Sequence, residues 1–162
     1  MYLQHLLTPK LTQLKGGHFP WKFYRNSPLR NVAVIGVGGN VGDTKRVFEK
    51  LFWYLKRDKK LDLLQTASLL KNPPFGYKEQ HDFLNTIAVV QTSLQPKELL
   101  RHLQGIENYF RRKKSFRNAP RTLDLDIIFF NNIQLQSKEL TIPHKAWHTR
   151  ESVVIPLLEV AV

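Results

Sequence analysis

The sequence has no cysteine, which excludes disulfides and thiolate metal sites. A reducing, cytoplasmic setting is the simplest expectation for such a chain. No apolar run approaches the roughly 18 residues needed to span a bilayer, so no membrane-crossing helix is expected. The first residues lack the compact apolar core and small-residue cleavage site of a secretory signal. Internal repeats are absent. Acids are scarce: 13 Asp and Glu stand against 25 Lys and Arg, a net charge of +12.

What is present describes one domain. The chain has 162 residues, enough to bury a core. Its 42% hydrophobic and 23% charged fractions are those of a globular protein. The positive charge is uneven. Residues 1–31 hold Lys10, Lys15, Lys22, Arg25 and Arg30 with no acid, and RRKKSFR (111–117) places five basic residues in seven. A polyanionic partner would suit this balance, either nucleic acid or the phosphates of a nucleotide; a solvated basic surface would suit it equally.

Residues 1–31 show no clean period and are broken by Pro9, Gly16-Gly17, Pro20 and Pro28. They read as an irregular N-terminal extension, leaving 32–162 as a single domain. VAVIGVG (32–38) is a strand, rich in β-branched residues. GGNVGD (38–43) is a turn, after which Asp43 can cap a helix running to about Arg57, with Val47, Phe48, Leu51, Phe52 and Leu55 on one face. Residues 61–71 read as a second strand, NPPFGYKEQ (72–80) as a loop and 82–92 as a third strand. Alternation there puts Phe83, Asn85, Ile87 and Val89 on one face. Pro96 opens a second helix whose Leu99, Leu103, Ile106 and Phe110 form a stripe. After the basic segment come a strand at 122–130, a short strand at LTIP (140–143) and a weakly helical or irregular tail. The order β-α-β-β-α-β predicts an α+β fold: a ferredoxin-like antiparallel sheet with helices on one face, plus appended C-terminal elements.

One feature of the last long strand, RTLDLDIIFF (121–130), resists a purely structural reading. Residues i and i+2 of a strand point to the same side, roughly 6.6 Å apart. Asp124 and Asp126 therefore share a face, while Leu123, Leu125 and Ile127 turn towards the core. At an effective dielectric near 20, two carboxylates about 6 Å apart repel by roughly 3 kcal/mol. Solvent could offset this, as could Arg121 and the basic loop, or divalent metal. A D-x-D alone is as readily a polar, solvated sheet face. Beside Pro120-Arg121 and RRKK it gains meaning, because phosphoryl transfer needs metal-binding carboxylates next to phosphate-binding cations.

RNAPRTLDLDIIFF (117–130) resembles the signature of the 6-hydroxymethyl-7,8-dihydropterin pyrophosphokinase family of folate biosynthesis. The resemblance extends in order through VGGNVGD (37–43), NPPFG (72–76), DFLN (82–85), QGIE (104–107), LTIPH (140–144), Arg150 and IPLLEV (155–160). It implies transfer of pyrophosphate from ATP to the hydroxymethyl group of the pterin, with release of AMP. It further implies that Asp124 and Asp126 hold two Mg²⁺ ions bridging the ATP phosphates. Arg121 and the loop residues Arg111, Arg112 and Lys113 would clamp phosphate. Gln104, Glu107, Ile127, His144 and Arg150 would contact the nucleotide. Gly38, Asn40, Asn72, Pro73, Phe75, Phe83 and Asn85 would hold the pterin. The partners implied are these two small molecules, with no nucleic acid and no membrane, and the chain is expected to act as a monomer.

Each residue also has a plainer reading. RRKK can complement a helix end. Gln104 and Glu107 can be a solvated helix face, His144 an ordinary hydrogen-bonded residue, and the glycines mere turn formers. The sequence departs from the family at Ser152, where Phe is common, which leaves the second stacking face of the pterin open; Trp147 is a candidate to fill it. Phe83 stands where Tyr is common. Two other classes fit less well: a ferredoxin-like RNA binder, which lacks the expected RNP1 aromatics, and an ATP-dependent phosphotransferase with another acceptor.

Overall fold

A computed structural model describes residues 1–23, 27–74, 76–110 and 122–160. The fold is mixed α+β, built on a mostly antiparallel sheet with three helices among the described residues. The central strand β4 (Asn31–Gly39) lies between β7 (Phe83–Thr92) and β8 (Asp124–Phe130), antiparallel to both. Beyond β7 come β5 (Leu61–Thr66) and β6 (Leu69–Asn72), which both pair with it. The second predicted strand is thus two, interrupted at Ala67-Ser68. There the Ser68 N–H and Oγ both donate to Glu159 Oε2, at 3.1 and 2.8 Å, and Thr86 Oγ1 donates to the Ala67 carbonyl at 3.0 Å.

Helix α1 (Thr44–Arg57) begins where Asp43 accepts a hydrogen bond from the Arg46 N–H at 3.2 Å, and carries Lys56 and Arg57 in its last turn, against the negative end of its dipole. Helix α2 (Pro96–Tyr109) opens on Pro96, with Glu98 reaching back to the Gln95 N–H at 2.9 Å. Phe48, Leu51, Phe52 and Leu55 of α1 and Leu99, Leu103 and Ile106 of α2 are buried against Ile35, Val37, Leu63, Val90, Leu125 and Ile127 of the sheet. A smaller apolar cluster occupies the other sheet face. There Val34, Ala67, Ile87, Val89 and Ile128 meet Val153 of α3 (Glu151–Leu157). The helices therefore do not all share one face as expected: α3, from the C-terminal segment, covers part of the opposite one. A short ladder of β9 (Leu135–Gln136) and β10 (Thr141–Ile142) precedes it.

The N-terminal segment corrects the irregular reading. It contains β1 (Leu3–Thr8), β2 (Leu11–Lys15) and β3 (Trp21–Lys22). Thr8 Oγ1 accepts from the N–H groups of Lys10 and Leu11, closing the β1–β2 turn. β2 then pairs with the edge of β6, and β3 with β5. His18 stacks on Phe52 with ring centroids 4.0 Å apart, its N–H and Nδ1 both on the Glu49 carboxylate at 2.8 Å. The sheet so extended ends in β1 on one side and β8 on the other. No helix among the described residues is long and apolar enough to cross a membrane.

The core predicts its own sensitivity. Phe48, fully buried between α1 and the sheet, should cost about 3–5 kcal/mol of stability when changed to Ala. Leu3, 70% exposed on β1, should change stability by less than about 0.5 kcal/mol when changed to Ser. Urea unfolding of the two variants checks this contrast.

Candidate active site

The site follows from the register of three strands. Gly38 of β4 lies opposite Asp124 of β8 on one side and Asn85 of β7 on the other. Gly36 lies likewise between Asp126 and Ile87. Adjacent strands are about 4.8 Å apart, so the aspartates and Asn85 face each other across a strip roughly 10 Å wide. The middle strand carries only hydrogen there. A Cβ on Gly38 would lie 2.6 Å from Asn85 Oδ1, and one on Gly36 3.1 Å from Ile128 Cδ1. The glycines thus serve close approach: they let neighbouring side chains lean over the strand and leave a groove whose floor is backbone.

Gly38, Asn72, Phe83, Asn85, Asp124, Asp126, His144 and Arg150 all line that groove, with Gly36, Ser152 and Val153. Residues spread over the sequence from 38 to 150 are brought together here. Asn85 Nδ2 donates to Asn72 Oδ1 at 2.6 Å, and Asn72 Nδ2 donates to the Pro73 carbonyl at 3.0 Å. The two amides fix each other and leave the Asn85 carbonyl oxygen over Gly38 as an acceptor. Phe83 is half-buried and is the one hydrocarbon ring among the described lining residues.

Other expected residues lie elsewhere. Asn40 is buried beside the groove, where its Nδ2 donates at 2.9 Å to both Gln80 Oε1 and the His81 carbonyl, clasping the 40–43 turn to the 77–81 loop. Pro73 stands behind Asn72, as acceptor of its amide. The Ile127 side chain is buried under the helices, so only its backbone faces any ligand at the sheet edge. Gln104 is exposed on α2. Glu107 is not the solvated residue that its spacing from Gln104 suggests: it is 3% exposed and accepts a hydrogen bond from the Leu125 N–H. Trp147 packs against Phe129 at 5.0 Å and is not among the groove-lining residues. Arg111, Arg112, Lys113, Arg121 and Phe75 lie outside the described residues. Sequence reasoning missed Gly36 and Val153 as parts of the groove; the G-x-G alternation within VIGVGG was the available signal for the first.

Position and charge define His144. Its N–H donates to the Ile128 carbonyl at 3.0 Å, tying the loop after β10 to β8. Its Nδ1 accepts from the Ala146 N–H at 3.2 Å, which assigns the neutral ring's proton to Nε2. Burial lowers its pKa below 6.5, and the Arg150 guanidinium lowers it further, while Asp124 acts in the opposite sense. The ring is neutral at neutral pH and offers Nε2–H as a donor in the groove.

Asp124 and Asp126 are both half-buried on the groove face. They supply hard oxygen donors of the kind Mg²⁺ takes, and Mg²⁺ fills the rest of its shell with water and phosphate oxygens. No group of three or more His, Cys, Asp or Glu that could hold a metal by itself occurs among the described residues. The donor set therefore fits a metal that arrives with a polyphosphate better than a metal held by protein alone.

Two measurements check this geometry. The shift direction means that His144 favours the folded state fully above about pH 6.5, and that this is lost as pH falls through its lower, folded value. An NMR titration should place the His144 midpoint below 6.5; a midpoint at or above it contradicts the assigned environment. Gly38→Ala forces Asn85 aside. Where binding must return Asn85 against the new Cβ, a cost of about 1–3 kcal/mol falls on the bound state, a loss of roughly 5- to 150-fold in affinity for whatever Asn85 holds. Fluorescence titration with 6-hydroxymethylpterin should register that loss, and unchanged affinity would contradict it.

Comparisons with known proteins give the family. A family model described as 7,8-dihydro-6-hydroxymethylpterin-pyrophosphokinase (HPPK) matches residues 34–162. A Campylobacter jejuni protein named 2-amino-4-hydroxy-6-hydroxymethyldihydropteridine pyrophosphokinase is 39% identical over 143 residues, which cover 88% of this chain and 91% of the relative. Proteins of the same name from Helicobacter pylori and Bacillus subtilis are 36% and 35% identical, over 86% and 82% of this chain and 86% and 79% of their own lengths. With the glycine-floored groove, the paired aspartates and the paired amides in place, the chain belongs to the HPPK family of pyrophosphokinases.

Proposed function

We propose that this groove is where the chain transfers the pyrophosphoryl group of ATP to the hydroxymethyl oxygen of 6-hydroxymethyl-7,8-dihydropterin, the folate-pathway reaction of its family. The observation that carries the assignment is the row Asp124, Gly38, Asn85, because it sets a carboxylate strand and an amide strand on either side of a bare backbone strip. The pterin lies on the Asn85 side. Phe83 stacks on one ring face, and Asn72, Asn85 and the backbone beside Pro73 and Phe75 read the ring edge. ATP lies on the Asp124 side, with its base towards Gln104 and the outer edge of β8 at Ile127. Gly38 and Asn40 shape the backbone between the two.

Asp124 and Asp126 would hold Mg²⁺, two ions in our reading, which when bound neutralise charge on the transferring phosphates. The chain's own cations act on the same oxygens. Arg150 and the Nε2–H of His144 reach the groove from the segment after β10. Arg111, Arg112, Lys113 and Arg121 would close on it from the basic segment, the arginines by paired N–H contacts. The hydroxymethyl oxygen forms a bond to the β-phosphorus. The bond from that phosphorus to the α–β bridging oxygen breaks, AMP leaves, and the hydroxyl proton is released. Positioning supplies most of the rate, since the two substrates meet in line on one rigid sheet face.

The strand order β8-β4-β7-β5, with α1 and α2 on one face, supports a ferredoxin-like core to which the N-terminal strands and α3 are additions. A cytoplasmic setting accords with the absence of cysteine. An RNA-binding sheet is disfavoured, because Asp124 and Asp126 on the open face would repel a phosphate backbone in the absence of metal.

Asp124→Ala and Asp126→Ala test the assignment directly. Each should lower AMP formation at least about 100-fold, in the range expected for a lost electrostatic contact to the transition state. Circular dichroism and fluorescence titration should show folding and pterin binding retained. Full activity in both variants would refute the metal-binding role.

A further inference from the structure

Among the described residues strand β8 ends the sheet, so one row of its backbone groups has no described strand opposite. The Leu125 N–H belongs to that row, and it sits between the two aspartates. It donates at 2.8 Å to Glu107 Oε2, in a buried bond. Glu107 lies in the last turns of α2 and is 3% exposed. Its neighbours on the inward face of that helix, Leu103 and Ile106, are 2% and 1% exposed in the core. The helix therefore cannot slide without breaking the core, and the carboxylate is held where it is.

Burying a carboxylate is costly, and an edge N–H could be satisfied by water at far lower cost. A hydrogen bond to an ionised acceptor is, however, stronger and more directional than one to water. It also acts at a sensitive place. Asp124 and Asp126 project from the residues on either side of Leu125, so any rotation of the Leu125 peptide swings both carboxylates together. We propose that Glu107 is a positioning residue: through the Leu125 N–H it fixes the edge strand so that Asp124 and Asp126 hold the spacing a divalent cation needs, and it does not itself touch the nucleotide. This rests on the reading of the two aspartates as metal ligands.

Two substitutions separate reach from charge. Glu107→Gln keeps the length and a carbonyl acceptor but loses the charge. Glu107→Asp keeps the charge but is one methylene too short. Mn²⁺, titrated by electron paramagnetic resonance in the presence of a non-hydrolysable ATP analogue, reports metal affinity without the pterin. Failure of the transfer reaction and failure of this inference therefore give different results. Outer partners of metal ligands are typically worth about 10- to 100-fold in metal affinity. Glu107→Asp should lose affinity in that range and should speed hydrogen exchange at the Leu125 amide, with pterin binding unchanged. Glu107→Gln keeps a weaker, neutral acceptor in place and should lose less affinity than Glu107→Asp. Parent-like Mn²⁺ affinity in Glu107→Asp would overturn the proposal. So would a loss in Glu107→Gln as large as that in Glu107→Asp.

Discussion

Two like charges on one face of one strand are the constraint to which the rest of this structure answers. Asp124 and Asp126 cannot be moved apart, because strand geometry sets their spacing, and they cannot be buried, because their repulsion would then rise several-fold. The sheet meets this by leaving their face open and by placing cationic and neutral donors around it. Arg150 and the neutral ring of His144 come from the segment after β10. The opposite face of the same strand, with Leu125 and Ile127, is packed under the helices. One strand is thus a core element on one side and a groove-lining element on the other, and its alternation separates the two.

The second demand, on the proposed reading, is a floor low enough for two substrates to meet. Gly36 and Gly38 supply it on the central strand, between the carboxylate strand and the amide strand. The additions at the chain's ends hold the walls of this floor. Glu159, just beyond α3, accepts from the Ser68 N–H and Oγ and from Gln13 Nε2. These bonds link β2, the break between β5 and β6, and the helix that carries Ser152 and Val153 into the groove. The N-terminal hairpin thereby braces β6, the strand that ends in Asn72, on the side away from β7. Ser152 lines the groove with Phe83, and Trp147 is engaged with Phe129 instead.

Much of this was legible from local pattern. VAVIGVG, the amphipathic α1 and α2, and the alternation of LDLDI each state their burial directly, and the resemblance of the ordered motifs brought together residues that only the folded sheet makes neighbours. What was not legible depended on distant partners. In β2 the buried residues are Leu11 and Leu14, three apart, so the segment has no strand period and gains its identity only by pairing with β6. Helix α3 has seven residues and contains Pro156, too little signal to stand out. Glu107 reads as solvated because its spacing from Gln104 is that of a helix surface; its burial follows from the unpaired edge of β8, which no local pattern announces.

The most direct test of the account is AMP release by the unmodified chain from ATP and Mg²⁺, with and without 6-hydroxymethyl-7,8-dihydropterin, followed by chromatography. AMP that appears only with the pterin, in step with the pyrophosphorylated product, is the predicted result. ATP turnover indifferent to the pterin, or no AMP at all while Mg²⁺-ATP binds, would contradict it.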